Sequence, residues 1–227
     1  MKRFYGQGLP GVDPSQLRGK LIVIEGPDGS GRSTQVAMLK DWLEEQGHGV
    51  TNVGLRRSTL VSKELDQAKQ GHVLSPVTFS LFYATDFADQ FENIMIPALR
   101  SGFVVLADRY IYTPMARDLI RGADPAWLES LYSIALVPDA VFYVRVSPRE
   151  LVRRNLDRDA TLDHWESGMD LGLHRDLVPS FMKYQRLMQA EFKRMQERYG
   201  FQVINGNRSI RAVFRELQAK VKVVLGD

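Results

Sequence analysis

The chain has no cysteine and little lysine: its 227 residues carry 9 Lys against 21 Arg. The missing thiols exclude disulfides, cysteine-ligated zinc, Fe–S clusters and a cysteine nucleophile. They are compatible with a reducing compartment, so the cytoplasm is the expected location. Long apolar runs are also missing. Crossing a bilayer needs about 20 such residues, and none of the apolar stretches comes near that, so no membrane partner is expected. The first residues, MKRFYGQGLPGVDPSQLRGK, carry charge without an apolar run behind it, which does not fit a signal peptide. They read as an extended polar leader. Repeats and low-complexity tracts are absent too. The net charge is only +3 and no module interleaves aromatic with basic residues, so no nucleic-acid partner is expected. His48, His72, His164 and His174 are scattered, with no spacing that suggests a zinc site.

What is present suits one globular domain, because 44% of the residues are hydrophobic and a chain of this length can bury most of its surface without splitting. The leader covers residues 1–18 and the domain residues 19–227. The arginine excess has two readings. Guanidinium is a rigid fork that matches phosphate oxygens two at a time, so it hints at discrete phosphate contacts; arginine-rich codon usage accounts for the same excess.

Five segments read as buried strands: Leu21 to Glu25, Val50 to Val53, Phe103 to Ala107, Ala140 to Val146 and Phe201 to Ile204. The clearest are nearly continuous β-branched and apolar runs, the pattern of strands covered on both faces. Between them lie helical patterns. One runs from about Ser33 to Gln46, with Gly47 where a C-cap glycine would stand. A second starts at the capping box Ser147-Pro148-Arg149-Glu150, a third spans Pro179 to Tyr199, and the last carries Ile210, Val213, Phe214, Leu217, Val221 and Val224 on one face. Strands alternating with helices predict an α/β fold, a parallel sheet of about five strands with helices on both faces.

Between the first strand and the first long helix lies Gly26-Pro27-Asp28-Gly29-Ser30-Gly31-Arg32-Ser33-Thr34. Two glycines four residues apart, then a basic residue and a hydroxyl, form the phosphate-loop pattern, with Arg32 in place of lysine. Glycines let the backbone turn its N–H groups inward, and the helix that follows adds its positive end. The Ser33 hydroxyl is placed to ligate the Mg²⁺ that travels with ATP.

From this loop onward the chain resembles the thymidylate kinase family of nucleoside monophosphate kinases. The likeness runs over nearly all of residues 20–226: IEGPDGSGRSTQ, an arginine after the second strand, LFYATDF followed by IPALRSG, ADRY, a strand leading into SPREL, an arginine-rich stretch ending LDHWE, and VINGNRSI. The resemblance implies the three-layer P-loop kinase fold, an ATP- and Mg²⁺-dependent transfer to dTMP, a small-molecule nucleotide acceptor and a homodimer. It implies that residues 26–34 hold ATP, that Asp108 lies with Ser33 at the metal, that Arg109 and Arg56 hold the acceptor phosphate, and that Asp28 approaches the acceptor. It also implies that Tyr83 stacks on the base and that an arginine-rich lid around residues 149–166 supplies the catalytic cation. Arg153 and Arg158 are the first choices there, then Arg154, alongside Arg32 and Arg109.

The chain departs from the family in several places. Arg32 replaces the loop lysine. Arg56-Arg57-Ser58 replaces Arg-Glu-Pro, removing an acid. Phe87, expected among the substrate-binding residues by its position, stands where the family has an arginine that bonds the base, and Ala116-Arg117-Asp118 replaces Ala-Tyr-Gln. These leave two alternatives open: a kinase for a different phosphorylated acceptor, and a weakly catalytic nucleotide-binding regulator.

Overall fold

The computed structural model describes residues 2–71 and 75–226; His72 lies outside them. Strands β1 (Lys20–Glu25), β2 (Val50–Gly54), β3 (Val104–Asp108), β4 (Ala140–Arg145) and β5 (Gln202–Asn205) form one sheet in the order β2-β3-β1-β4-β5, and every pairing is parallel. This is the expected α/β architecture. Successive side chains of β1 point to opposite faces: Leu21 and Val23 enter one apolar cluster, Ile22 and Ile24 the other. Both faces of the strand are therefore dry, which is why its sequence is apolar without alternation.

Helices α1 (Arg32–Glu45), α7 (Pro148–Asp159) and α9 (Ile210–Leu225) cover one face, with Val36, Leu39, Leu151, Val213 and Leu217 buried there. The other face carries α3 (Pro76–Gln90), α4 (Ile96–Arg100), α5 (Tyr112–Ile120) and α8 (Leu177–Tyr199) through Phe87, Leu99, Met115, Tyr184 and Phe192. Two shorter helices, α2 (Ser62–Gly71) and α6 (Pro125–Leu131), fill connections. Between α3 and α4 the helix widens to a π turn over Phe91–Met95. Pro97, two residues beyond Met95, has no N–H for the carbonyl four residues before it, so the ladder there must shift its register.

The leader is not a detached polar segment. Tyr5 donates its N–H to the Ala135 carbonyl at 2.9 Å, Val137 donates to the Arg3 carbonyl at 2.8 Å, and the Tyr5 and Tyr112 hydroxyls lie 2.5 Å apart. Phe4, Tyr5, Leu9 and Val12 pack on the core and Leu17 is buried in it. Irregularly spaced apolar residues anchor this stretch, and that spacing has no period to reveal it in the sequence.

β1 is the centre of the sheet; the chain runs from it to β2 and β3 on one side and to β4 and β5 on the other. In such sheets ligands bind beyond the carboxyl ends of the strands where the order diverges. The loops after β1, β2 and β3 all open there.

Candidate active site

The loop after β1 turns through left-handed backbone at Gly29 and Gly31, φ 81° and 82°, and Gly31 caps α1. A side chain at either position would be strained. The loop thus delivers the amino end of α1, with its unpaired N–H groups and positive dipole, to the top of the sheet.

Arg32 does not reach forward as a loop lysine does. Its side chain is buried and turns back, Nε donating to Asp108 Oδ1 and Nη1 to the Gly26 and Pro27 carbonyls, the latter at 3.3 Å. Burial and the nearby Arg109 charge lower its pKa, and Asp108 and Asp28 oppose them. The guanidinium acts as a clasp between the loop and β3.

Asp108 ends β3 and meets three donors: Arg32 on Oδ1, then the Ser33 hydroxyl and Arg57 Nη2 on Oδ2, each at 2.9 Å. Burial pushes its carboxyl up, and Arg32, Ser33 and Arg57 outweigh that, leaving it below the ordinary carboxylate value. Ser33 and Asp108 are an oxygen pair at the start of α1. Among the described residues no group of three or more His, Cys, Asp or Glu could hold a metal. Mg²⁺ in nucleotide sites takes few protein oxygens and completes its shell with phosphates and water, so these two residues fit it on those terms.

Arg109 follows in left-handed backbone, φ 70°, its N–H bonded to the Ile24 carbonyl at 3.0 Å. This conformation costs a non-glycine residue about 1–3 kcal/mol, and Glu25 holds the turn. The fully buried Glu25 carboxylate accepts from Tyr110 N at 2.9 Å and from the Thr113 hydroxyl at 2.6 Å. Burial raises its pKa against those two donors and the charges of Arg32 and Arg109. Arg109 in turn donates to Asp28 Oδ1 at 2.8 Å.

After β2 the two arginines part. Arg56, φ 59°, sends its side chain to Asp66 of α2 at 2.6 Å, while Arg57 folds back over Gly54 onto Asp108. Asp86 of α3 fixes this turn by accepting from Arg56 N at 2.8 Å and Ser58 N at 2.9 Å.

Two cavities adjoin. One, about 220 Å³, is polar and lined by Asp28, Arg32, Ser33, Arg56, Arg57, Asp108 and Arg109. The other, about 300 Å³, is walled mainly by Phe79, Tyr83, Pro114, Trp165 and Leu171. Tyr83 and Arg117 line both. Arg117 is ion-paired with the buried Glu166, and Phe79 stacks on Trp165 at 5.5 Å between ring centres. Asp118 also lines the apolar cavity, and one of its oxygens is buried with no hydrogen-bond partner among the described residues.

Of the expected residues, the structure brings together Asp28, Arg32, Ser33, Tyr83, Asp108 and Arg109, with Arg56 at the rim. It corrects the placing of Phe87. That ring is buried in the core against Phe91, Tyr110 and Tyr132 and lines neither cavity. In the lid helix the first-named Arg153 faces outward, paired with Glu150 and Asp157, because Leu151 and Asn155 take the inner face of α7. Arg154 instead donates to the Gly29 and Ser30 carbonyls at 3.4 Å each and to Gly206 O at 2.9 Å. Arg158 pairs with Asp159 and bonds Asn155, and its charge is felt at Asp28. Glu25 belongs to the site although sequence reasoning assigned it no role beyond its strand, and Arg57 and Arg117, which stood there only as departures, belong to it too.

A phosphate loop at the switch point of a parallel sheet, a hydrogen-bonded Ser33–Asp108 oxygen pair and convergent arginines define a P-loop phosphotransferase. A family model described as thymidylate kinase matches residues 24–217. The chain is 38% identical over 212 residues to the probable thymidylate kinase 2 of Saccharolobus solfataricus, covering 93% of this chain and 97% of that one. It is 30% identical to the probable thymidylate kinase of Pyrococcus abyssi, over 91% and 97% of the two chains. With the thymidylate kinase of Caldicellulosiruptor saccharolyticus it shares 33% over 150 residues, 61% of this chain and 70% of that one. The chain belongs to the thymidylate kinase family and is a nucleoside monophosphate kinase.

Proposed function

We propose that the protein transfers the γ-phosphoryl group of ATP to dTMP, giving ADP and dTDP. The observation that carries this is the junction of the two cavities: a basic chamber at the phosphate loop opens, across Tyr83 and Arg117, into an aromatic chamber sized for a nucleoside. A phosphate oxygen of dTMP attacks the γ-phosphorus while the bond to the β–γ bridging oxygen breaks toward ADP. Residues 26–34 hold the ATP phosphates through backbone N–H groups and the dipole of α1. Mg²⁺, held by Ser33 and Asp108 together with the phosphates, would neutralise charge on the β- and γ-oxygens.

The chain's own residues supply the rest. Arg109, steadied by Asp28 and by the Glu25-braced turn, holds the acceptor phosphate, with Arg56 able to join it from the rim. Tyr83 stacks on the base, and Arg117 and Asp118 are the polar groups of its chamber. Arg158 and Arg154 are the lid cations that oppose charge on the transferred group; Arg153 would need to leave its surface ion pairs to do so. Arg32 braces the loop, a structural contribution to catalysis.

Val77 and Leu81, one turn apart on α3, and Ile94 beyond it are exposed apolar side chains. We extend the proposal to a homodimer that covers this stripe, located in the cytoplasm. No helix among the described residues is long and apolar enough to cross a membrane.

The deciding experiment is ADP release coupled to a panel of nucleoside monophosphates. Turnover highest with dTMP is expected, and no turnover with any acceptor overturns the reading. Light scattering after gel filtration tests the dimer, a strict monomer counting against it.

A further inference from the structure

Asp108 is asked to do two things. Both its oxygens already accept hydrogen bonds from protein groups, yet Oδ2, with Ser33, is also the natural anchor for the metal. A carboxylate has about four lone-pair positions and one negative charge to share. A divalent cation placed at Oδ2 would stand against the guanidinium that now lies 2.9 Å from that atom, and like charges so close repel.

The two arginines on Asp108 are not equivalent. Arg32 is buried and tied to the Gly26 and Pro27 carbonyls as well, so it cannot leave without opening the loop. The Arg57 side chain is 41% exposed, and among the described residues its one other hydrogen bond is a long one, Nη1 to the Val53 carbonyl at 3.3 Å. Its guanidinium rests on Gly54, where a Cβ would lie 3.2 Å from Nε, so the glycine leaves room for it to lie there. It lines the basic cavity together with Arg109. A dianionic phosphate entering between them offers the fork two oxygens and more charge than half of a shared carboxylate.

Resting on the kinase reading above, we propose that Arg57 and the metal are alternative partners of Asp108, and that the acceptor phosphate decides between them by drawing Arg57 away. Before the acceptor arrives, Arg57 occupies Oδ2 and metal on the bound nucleotide is held weakly. Once the acceptor phosphate takes Arg57, Oδ2 is released to the metal or to one of its waters. Binding of acceptor and of metal–nucleotide is then positively coupled, and by linkage the coupling is reciprocal. The metal site is complete only when a phosphate stands ready to receive the γ-phosphoryl group, which disfavours transfer to water.

The test uses Mn²⁺ as probe, its unbound fraction read by electron paramagnetic resonance in the presence of ADP, with and without dTMP. These mixtures cannot turn over. In the unaltered protein dTMP is expected to tighten Mn²⁺ binding by about fivefold or more. Arg57→Ala is expected to bind Mn²⁺ without dTMP as tightly as the unaltered protein does with it, and to gain little when dTMP is added. Arg57→Gln, which keeps packing over Gly54, should behave likewise and guards against a folding artefact. Arg56→Ala should retain the coupling. Unchanged Mn²⁺ binding in both Arg57 variants without acceptor overturns the proposal, as does coupling that survives in them. If dTMP is phosphorylated normally and these results fail, this inference alone falls; if no acceptor is phosphorylated, the kinase reading falls with it.

Discussion

Gly29 of the phosphate loop and Asn155 of α7 are so close that a Cβ on the glycine would lie 2.7 Å from the Asn155 side-chain nitrogen. That nitrogen donates to the Asp28 carbonyl at 3.1 Å and to the Leu151 carbonyl at 2.9 Å, so the lid helix is fastened directly to the loop it serves. The loop geometry and the lid position are one structural unit.

Gly29→Ala should therefore lose on two counts, the left-handed backbone and the collision with Asn155. We expect a loss of about 1–3 kcal/mol in stability from the backbone alone, with a raised ATP KM. Asn155→Ala relieves the collision, so the double variant should recover part of the ATP KM. Purely additive effects on KM would show that loop and helix act independently.

Arg32 supports a second expectation. Arg32 and Asp108 form a buried pair, their side chains 8% and 6% exposed. Removing one member of such a pair costs about 3–5 kcal/mol. Arg32→Ala should sit near the low end, because Arg57 remains on Asp108. Arg32→Lys keeps the charge but loses the fork that reaches the Gly26 and Pro27 carbonyls, and should cost about 1–2 kcal/mol. Urea unfolding measures both; a loss below about 1 kcal/mol for the alanine variant would deny Arg32 its role as a clasp.

Strands β1, β3 and β4 could be read from the chain because burial on both faces leaves an apolar run, and the loop because its glycines and hydroxyls stand at fixed spacing. The strand ends shifted by about a residue for one physical reason: hydrophobicity does not report pairing. Phe103 is apolar yet 40% exposed, whereas Asp108 is polar yet still paired with Ile24 and Gly54 at the edge of the site. The division of labour between Arg56 and Arg57 could not be read. It depends on a positive φ at Arg56, which only glycine advertises in a sequence, and that dihedral sends neighbouring side chains to different partners. In the lid, the resemblance gathered Arg153, Arg154 and Arg158 but could not say which of them faces the loop. Leu151 and Asn155 set that face, and Asn155, being polar, gives no hydrophobic signal.

Tyr83 offers a kinetic test of the aromatic chamber. Base stacking on an aromatic side chain contributes about 1–3 kcal/mol. Tyr83→Ala should raise the dTMP KM by about one order of magnitude or more while leaving the ATP KM within about twofold, since the ring packs edge-on to Phe79 in the wall of the aromatic chamber. Trp165, stacked on Phe79 at the chamber wall, should report dTMP binding through its fluorescence. Equal weakening of both substrates would show instead that Tyr83 supports the fold of the whole site.

Glu150 gives a pH signature. Its carboxylate accepts from Arg153 Nη2 at 2.6 Å and from Arg154 Nε at 2.7 Å, and these hydrogen bonds pull its pKa from 4.5 down to about 2. A carboxyl depressed on folding binds its proton more weakly in the folded than in the unfolded chain, so stability rises with pH through the window between the two values. Its contribution is whole above about 4.5 and fades as pH falls toward 2. Solvent screens the pair, whose Arg153 side chain is 62% exposed, so the contribution should be about 1 kcal/mol at most. The difference in Tm between the unaltered protein and Glu150→Gln should be steady from about pH 7 to pH 5 and close as the pH is lowered further. Added salt should shrink it at every pH above that window. A difference that widens in acid would mean the carboxyl is raised on folding, against the geometry of its two arginine partners.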